Sequence, residues 1–218
     1  YAWLFVVIGF LMMMIKKLTI RYVGQIAFGF GVLFVGLNSM SDAMKPLASS
    51  PAFAELLLKI KDVPVLGLIV GAIASMVVQS SSAAIGVLQT LSASPIDANG
   101  APLVSLYQAV PILFGSNIGT TITAILASIG GTRQAKRTAA AHSVFNISGS
   151  LLFMLLLQPY TFLVNAILSF LGVTLVPDTT ANIAGMMTPV ASAMRQGIAV
   201  SHTLFNVIST LVWLPFVW

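Results

Sequence analysis

Four hydrogen-bonding side chains in a row, Gln79, Ser80, Ser81 and Ser82, sit in the middle of an otherwise apolar stretch. Val65–Val78 before them and Ala83–Ser94 after them are almost entirely apolar or small. In a lipid environment an unmet polar group costs several kcal/mol, because hydrocarbon offers it no partner. A run like this is tolerated only where it faces protein, water or a bound solute. It therefore reads as the turn of a re-entrant helical hairpin over 65–94 and as one wall of a solute site.

Composition sets the environment in which that argument applies. The 218 residues are 58% hydrophobic and 7% charged, against roughly a quarter charged in soluble domains. The mean hydropathy is +1.01. Apolar runs of about 20 residues recur, as helical membrane spans require, and the shorter alternating segments of a β-barrel are absent. The chain is read as an all-α integral membrane protein. With no cysteine, a disulfide framework, thiol catalysis and thiolate metal sites are excluded. The net charge of +5 does not point to nucleic acid, because the basic residues cluster in short loops between apolar runs and act as topology signals.

The expected layout is a single transmembrane domain over 1–218. It comprises a partial first span and basic loop (1–22), a second span and external segment (23–64), the hairpin (65–94), a broken span (103–129) and three further spans (138–218). Gly24, Gly29, Gly31 and Gly36 offer close-packing positions in the second span. The 42–62 segment is expected to break at Pro46 and Pro51 and to carry a short surface helix over 52–61. Pro95–Pro102 reads as a turn-rich loop, Gln158-Pro159 as a turn, and 177–196 as a polar, proline-containing connection. The opening Tyr1 and the unflanked apolar close at Trp218 suggest a trimmed or partial chain. With Lys16, Lys17 and Arg21 placed in the cytoplasm, a hairpin that returns to its own side puts Arg133, Lys136 and Arg137 there too. A full crossing at 65–94 would separate the two clusters, so the positive-inside rule favours the hairpin.

Three constellations could carry chemistry. At a break among Gln79–Ser82, one helix would end in free carbonyls and the next begin with free N–H groups. The N–H groups and helix dipole suit an anion, and carbonyls and hydroxyls suit Na⁺. Broken helices at mid-membrane are the usual construction of secondary-transporter sites. The alternative is a polar helix–helix contact. The second constellation is Gly115-Ser116-Asn117-Ile118-Gly119-Thr120-Thr121. Its glycines weaken a helix by roughly 1 kcal/mol each relative to Ala, and its side chains supply oxygens at the weakened point. It reads either as a discontinuous transmembrane helix or as a small-residue packing face. The third is an internal echo: His142-Ser143-Val144-Phe145-Asn146 against His202-Thr203-Leu204-Phe205-Asn206. In each copy His and Asn are four apart and share a helical face. A polar seam between helices and a supporting role behind the hairpin are both open. No enzyme constellation is present, and no acidic residue lies mid-span as a proton relay would need. No P-loop is present either. A cation-coupled or passive transport route with neutral oxygen ligands is left.

Q-S-S-S-A at Gln79–Ala83, G-S-N-I-G-T-T at Gly115–Thr121, the basic loop after it and A-H-S-V-F-N at Ala141–Asn146 follow one another. In that order and spacing they resemble the sodium-dependent phosphate cotransporters of the type II (Na/Pi) family, most closely its bacterial members. The resemblance runs from about Gly29 to Trp218, with Ser116 standing where many relatives have Ala. It implies Na⁺-coupled symport of inorganic phosphate by alternating access, with Na⁺ as the coupling ion, in a multi-pass plasma membrane protein, the bacterial inner membrane in particular. It implies a phosphate site at Gln79, Ser80, Ser81, Ser82, Ser116 and Asn117. It implies Na⁺ ligands from Gln79, Ser80, Asn117, Thr120 and Thr121, with His142, Asn146, His202 and Asn206 supporting. The family has two inverted repeats, each with its own Q-S-S-S. This chain corresponds to one half of such a transporter, to be completed by a first repeat or by a second copy of the chain, as in a homodimer. Transport of another oxyanion or small organic anion on the same fold, and a non-transporting membrane subunit, are the alternatives.

Overall fold

The computed structural model describes residues 2–48, 52, 59–60, 63–95, 100–181 and 183–216. They are mostly helical and fall into two compact units, Tyr1–Pro46 and Leu47–Trp218. The expected surface helix at 52–61 and the centre of the Pro95–Pro102 loop lie largely outside the described residues.

In the first unit α1 (Ala2–Met13) packs on α2, whose helix runs Leu18–Ala48. Their approach is set by three glycines. A Cβ on Gly9 would stand 2.4 Å from the Phe28 nitrogen, one on Gly24 2.8 Å from the Gly9 carbonyl oxygen, and one on Gly31 2.6 Å from the Val6 nitrogen. Gly29 and Gly36 meet nothing within 4 Å, so only two of the four glycines expected at a packing face are used there. Pro46 lies inside α2 and does not end it.

The second unit is built around α5 (Leu106–Ser128). Leu106, Ala109, Val110, Leu113 and Phe114 on this helix are at most 1% exposed. The helix starts where a capping box demands it: the Ser105 hydroxyl accepts from the Gln108 N–H, and the Gln108 side chain accepts from the Ser105 N–H. The expected interruption at Gly115–Thr121 is not there; α5 is an unbroken 23-residue helix. The glycines serve a close crossing with α3 (Pro64–Val78), the most extensive helix–helix contact in the unit. A Cβ on Gly115 would lie 1.9 Å from the Leu68 carbonyl oxygen, one on Gly71 1.9 Å from that of Ile112, and one on Gly119 2.3 Å from that of Ala72. The packing gained at this crossing outweighs the propensity lost, and the motif acts as a small-residue face.

Where the polar quartet lies the helix does stop. The α3 helix ends at Val78, Gln79 takes φ 52° and ψ 24°, Ser80 is extended, and α4 (Ser81–Ser92) begins. At 1.5 Å per residue, α3 extends about 22 Å and α4 about 18 Å, both short of a ~30 Å hydrocarbon core.

Beyond α5 come α6 (Arg133–Leu155) and α7 (Leu157–Phe170). They part at Leu156 because Pro159, which has no N–H to give, fits the first turn of a new helix. A two-stranded antiparallel ribbon follows, β1 (Leu175–Pro177) with β2 (Met187–Pro189). It is an addition to the expected all-helical chain, and it anchors the start of α5 through the Leu106 N–H to Thr188 Oγ1 bond of 3.0 Å. The last helix is α8 (Met194–Trp213). Phe114, Phe153, Tyr160 and Phe205 from α5, α6, α7 and α8 form the aromatic centre, with ring centroids 4.9–6.0 Å apart. Among the described residues four helices, Leu18–Ser39, Leu106–Ser128, Arg133–Leu155 and Ala191–Phe216, are long and apolar enough to cross a membrane. This is an all-α membrane protein in its described parts, apart from the short ribbon.

Candidate functional site

One polar cavity of about 180 Å³ opens in the second unit. It is lined by Ser81, Asn117, Thr120, His142, Phe145, Asn146, His202 and Asn206. All three sequence constellations meet there. A larger cleft of about 340 Å³ lies between α6 and α8, lined by Ser148, Gly149, Leu152, Ser209, Val212, Trp213 and Phe216. Its walls are almost wholly apolar, and it carries none of the residues that the sequence singles out.

The helix break supplies one wall. Ser80 caps α4, its hydroxyl accepting from the Ala83 N–H at 3.3 Å, while the Ala84 N–H reaches the Ser80 carbonyl at 3.0 Å. The N–H groups of Ser81 and Ser82, at the very start of the helix, are left without a helical partner. Ser81 is half-buried and lines the cavity; Gln79, Ser80 and Ser82 are exposed and lie outside the lining. Gln79 is the one non-glycine with positive φ among the described residues. That conformation costs an L-residue roughly 1–2 kcal/mol.

The α5 helix supplies the second wall. Asn117 and Thr120 reach the cavity; Ser116 and Thr121 are buried but do not. Asn117 is 6% exposed, and its Nδ2 has no partner among the described residues. The Ser116 hydroxyl is buried and unpartnered as well. The Thr121 hydroxyl is spent on the Ile118 carbonyl at 2.7 Å. Thr120 Oγ1 donates to the Ser116 carbonyl at 2.8 Å and contacts Ser75 Oγ at 3.1 Å. Ser75, fully buried on α3, is not among the residues that the sequence singles out. Its signal is faint: a single serine one turn before Gln79 in an apolar helix.

The echoed motif supplies the rest, from two helices. On α6 the Asn146 Nδ2 donates to the His142 carbonyl at 2.9 Å; on α8 the Asn206 Nδ2 donates to the His202 carbonyl at 2.8 Å. The same local bond holds both asparagines. The two phenylalanines differ: Phe205 is fully buried in the aromatic centre, whereas Phe145 is half-exposed on the cavity. Phe145 lies inside the quoted motif, yet an aromatic there is indistinguishable by sequence from a core residue. No lysine, arginine or carboxylate lines the cavity, and no group of three or more metal-type ligands occurs among the described residues.

Comparison with known proteins gives the chain its relatives. It is 29% identical over 213 residues to the uncharacterized protein YqeW of Bacillus subtilis, covering 98% of this chain and 60% of that protein. Sodium-dependent phosphate transport protein 2A of Ovis aries is 42% identical over 90 residues, 39% of this chain and 13% of that one. Sodium-dependent phosphate transport protein 2B of Rattus norvegicus is 42% identical over 92 residues, 40% of this chain and 12% of that one. The chain thus spans less than two thirds of the length of each of these relatives. No solved structure matches it. The Na⁺/Pi-cotransporter family profile matches residues 35–177, which hold the helix break, the glycine-rich crossing and the first His–Asn copy, and the chain belongs to that family.

Proposed function

We propose that this chain forms one half of a secondary transporter that carries inorganic phosphate with Na⁺ in symport, by alternating access. The observation that carries the reading is the convergence of Ser81, Asn117, Thr120, His142, Asn146, His202 and Asn206 on one cavity beside a helix break. The start of α4 suits phosphate. It offers the free Ser81 and Ser82 N–H groups, the Ser81 hydroxyl and the positive end of a helix dipole. The unpartnered Asn117 Nδ2 is a further donor. Hydroxyl and amide oxygens suit a hard monovalent cation. Na⁺ bound beside the anion would offset part of its charge, which is how a cavity without lysine or arginine holds phosphate.

The lengths of α3 and α4 support a re-entrant hairpin at 65–94, entering and leaving on one side of the membrane. The relatives' greater length supports completion of the site by a further repeat, or by a second copy of this chain, in a multi-pass plasma membrane protein such as one of the bacterial inner membrane. Exposed Gln79, Ser80 and Ser82 would then face that second half.

The test is Na⁺-driven ³²P-phosphate uptake into proteoliposomes holding the full-length protein. Ser81→Ala and Asn117→Ala should each abolish uptake at unchanged protein level. Wild-type uptake by both variants would refute the site. Inhibition by sulfate or small carboxylates as strong as by arsenate would turn the reading to another anion.

A further inference from the structure

We infer that α7 does not cross the membrane: it lies along the lipid–water boundary on the side where α5 begins, and its exposed face is a surface for the lipid of that leaflet. This needs only that the long helices span a bilayer, whatever solute is carried. Length is the first ground. At 1.5 Å per residue the 14 residues of α7 extend about 21 Å, short of a ~30 Å hydrocarbon core. Level is the second. A short turn after Ser128 sends α6 back antiparallel beside α5, where the Ser150 hydroxyl reaches the Phe114 carbonyl at 3.0 Å. So α6 ends, and α7 starts, beside the first half of α5, with Tyr160 edge-on to Phe114 at 5.3 Å. The far end of α7 is still there. A Cβ on Gly197 would lie 3.5 Å from Leu168 Cδ1 and 3.6 Å from Leu106 Cδ1. The chain that follows stays at that end too: Thr188 Oγ1 accepts from the Leu106 N–H, and the Ala191 N–H donates to the Gly100 carbonyl at 2.8 Å. A crossing helix would have carried its end to the level of Ser128.

The faces of α7 are the third ground. Tyr160, Val164 and Leu168 are buried in the bundle. Thr161 and Asn165, four apart and so on one face, turn to the ribbon: Asn165 Nδ2 donates to the Met187 carbonyl, and Thr161 Oγ1 meets Met186 Sδ at 3.8 Å. Phe162, Ala166 and Phe170, again four apart, are exposed, Phe170 by 90%. A spanning helix has two surroundings, protein and lipid. Helix α7 has three: a core, a polar edge under the ribbon and an apolar stripe with two aromatic rings. That is the cross-section of a helix lying in the boundary plane, where aromatic side chains also concentrate. The consequence is that 138–218 crosses twice, through α6 and α8, and not by the three spans expected from sequence. Helix α8 then starts where α5 starts and runs parallel to it, Gly197 beside Leu106 and Phe205 beside Phe114. The two His–Asn copies therefore reach their cavity on helices of opposite direction.

Two measurements on the full-length protein test this, each with one non-natural residue placed by amber suppression at an exposed position. For sidedness, an azide-bearing residue replaces Thr179, in the turn of the ribbon, or Gln134, at the start of α6. Intact cells and permeabilised cells are then treated with a membrane-impermeant alkyne reagent. One of the two positions should react in intact cells and the other only after permeabilisation. The same behaviour at both overturns the inference, because a crossing α7 would return Thr179 to the side of Gln134. For depth, a fluorescent residue replaces Phe162 or, as a mid-span reference, the exposed Val144 at the centre of α6. The protein is placed in phosphatidylcholine vesicles spin-labelled near the top or near the end of the acyl chain. Phe162 should be quenched several-fold more by the shallow label and Val144 more by the deep one. Stronger quenching of Phe162 by the deep label would mean a crossing helix, and quenching by neither a face covered by protein; each overturns the lipid surface.

Discussion

Replacing Gly115 by alanine puts the account of the α3–α5 crossing at risk. The added Cβ would fall 1.9 Å from the Leu68 carbonyl oxygen and 2.8 Å from the Ala72 nitrogen. These are backbone atoms of a packed helix, so no side chain can swing away. Restoring an ordinary C···O contact of about 3.3 Å requires the two helices to part by about 1.4 Å. Overpacking of this kind costs roughly 1–3 kcal/mol. In a domain of this size each kcal/mol moves the unfolding midpoint by roughly 2–4 °C, so a drop of about 4–8 °C is the central expectation. The same movement would stretch the 3.1 Å Ser75–Thr120 contact beyond hydrogen-bonding distance. Gly29→Ala is the matched control. Nothing lies within 4 Å of that position, so only helix propensity acts there, and stability should be unchanged or rise by up to about 1 kcal/mol. Equal midpoints for Gly115→Ala and wild type would refute the close crossing.

Two other perturbations test separate parts of the fold by the same thermal assay. Gln79→Gly should be neutral or stabilising by about 1 kcal/mol, since glycine adopts φ 52° without the penalty that an L-residue meets there, while Gln79→Val should destabilise. Phe205→Ala should cost about 3–5 kcal/mol, because this fully buried ring contacts Phe114 and Phe153; a loss under 1 kcal/mol would mean that the aromatic centre is not a core.

The helix break is legible in the sequence because polarity within an apolar run has few physical explanations. The structure narrows it to Gln79–Ser80, with Ser81 and Ser82 already in the next helix. Gly115–Thr121 reads as a second break, and wrongly, for an equally physical reason. Local sequence states what two glycines cost a helix but not what a neighbouring helix gains from them. Whether a glycine weakens α5 or seats α3 depends on Gly71, which lies far away in the chain. The β1–β2 ribbon is illegible because its three-residue strands are too short for any alternation to register. The His–Asn echo can be read as two similar faces; that both open on one cavity with Asn117 and Thr120 is a property of the packing of α5, α6 and α8. Ser75 is hidden for the same reason, since its role exists only at the 3.1 Å contact with Thr120.

The central claim is that the cavity at the start of α4 takes Na⁺ and phosphate together. The chain has no native cysteine, so the thiol introduced by a single Phe145→Cys substitution on the cavity lining reports on that cavity alone within it. The measurement is the rate at which a water-soluble methanethiosulfonate reagent labels that thiol in the full-length protein, in choline, in Na⁺, in phosphate and in both. Labelling should be rapid in choline, with strong protection only when Na⁺ and phosphate are present together. A labelling rate indifferent to both solutes would contradict it.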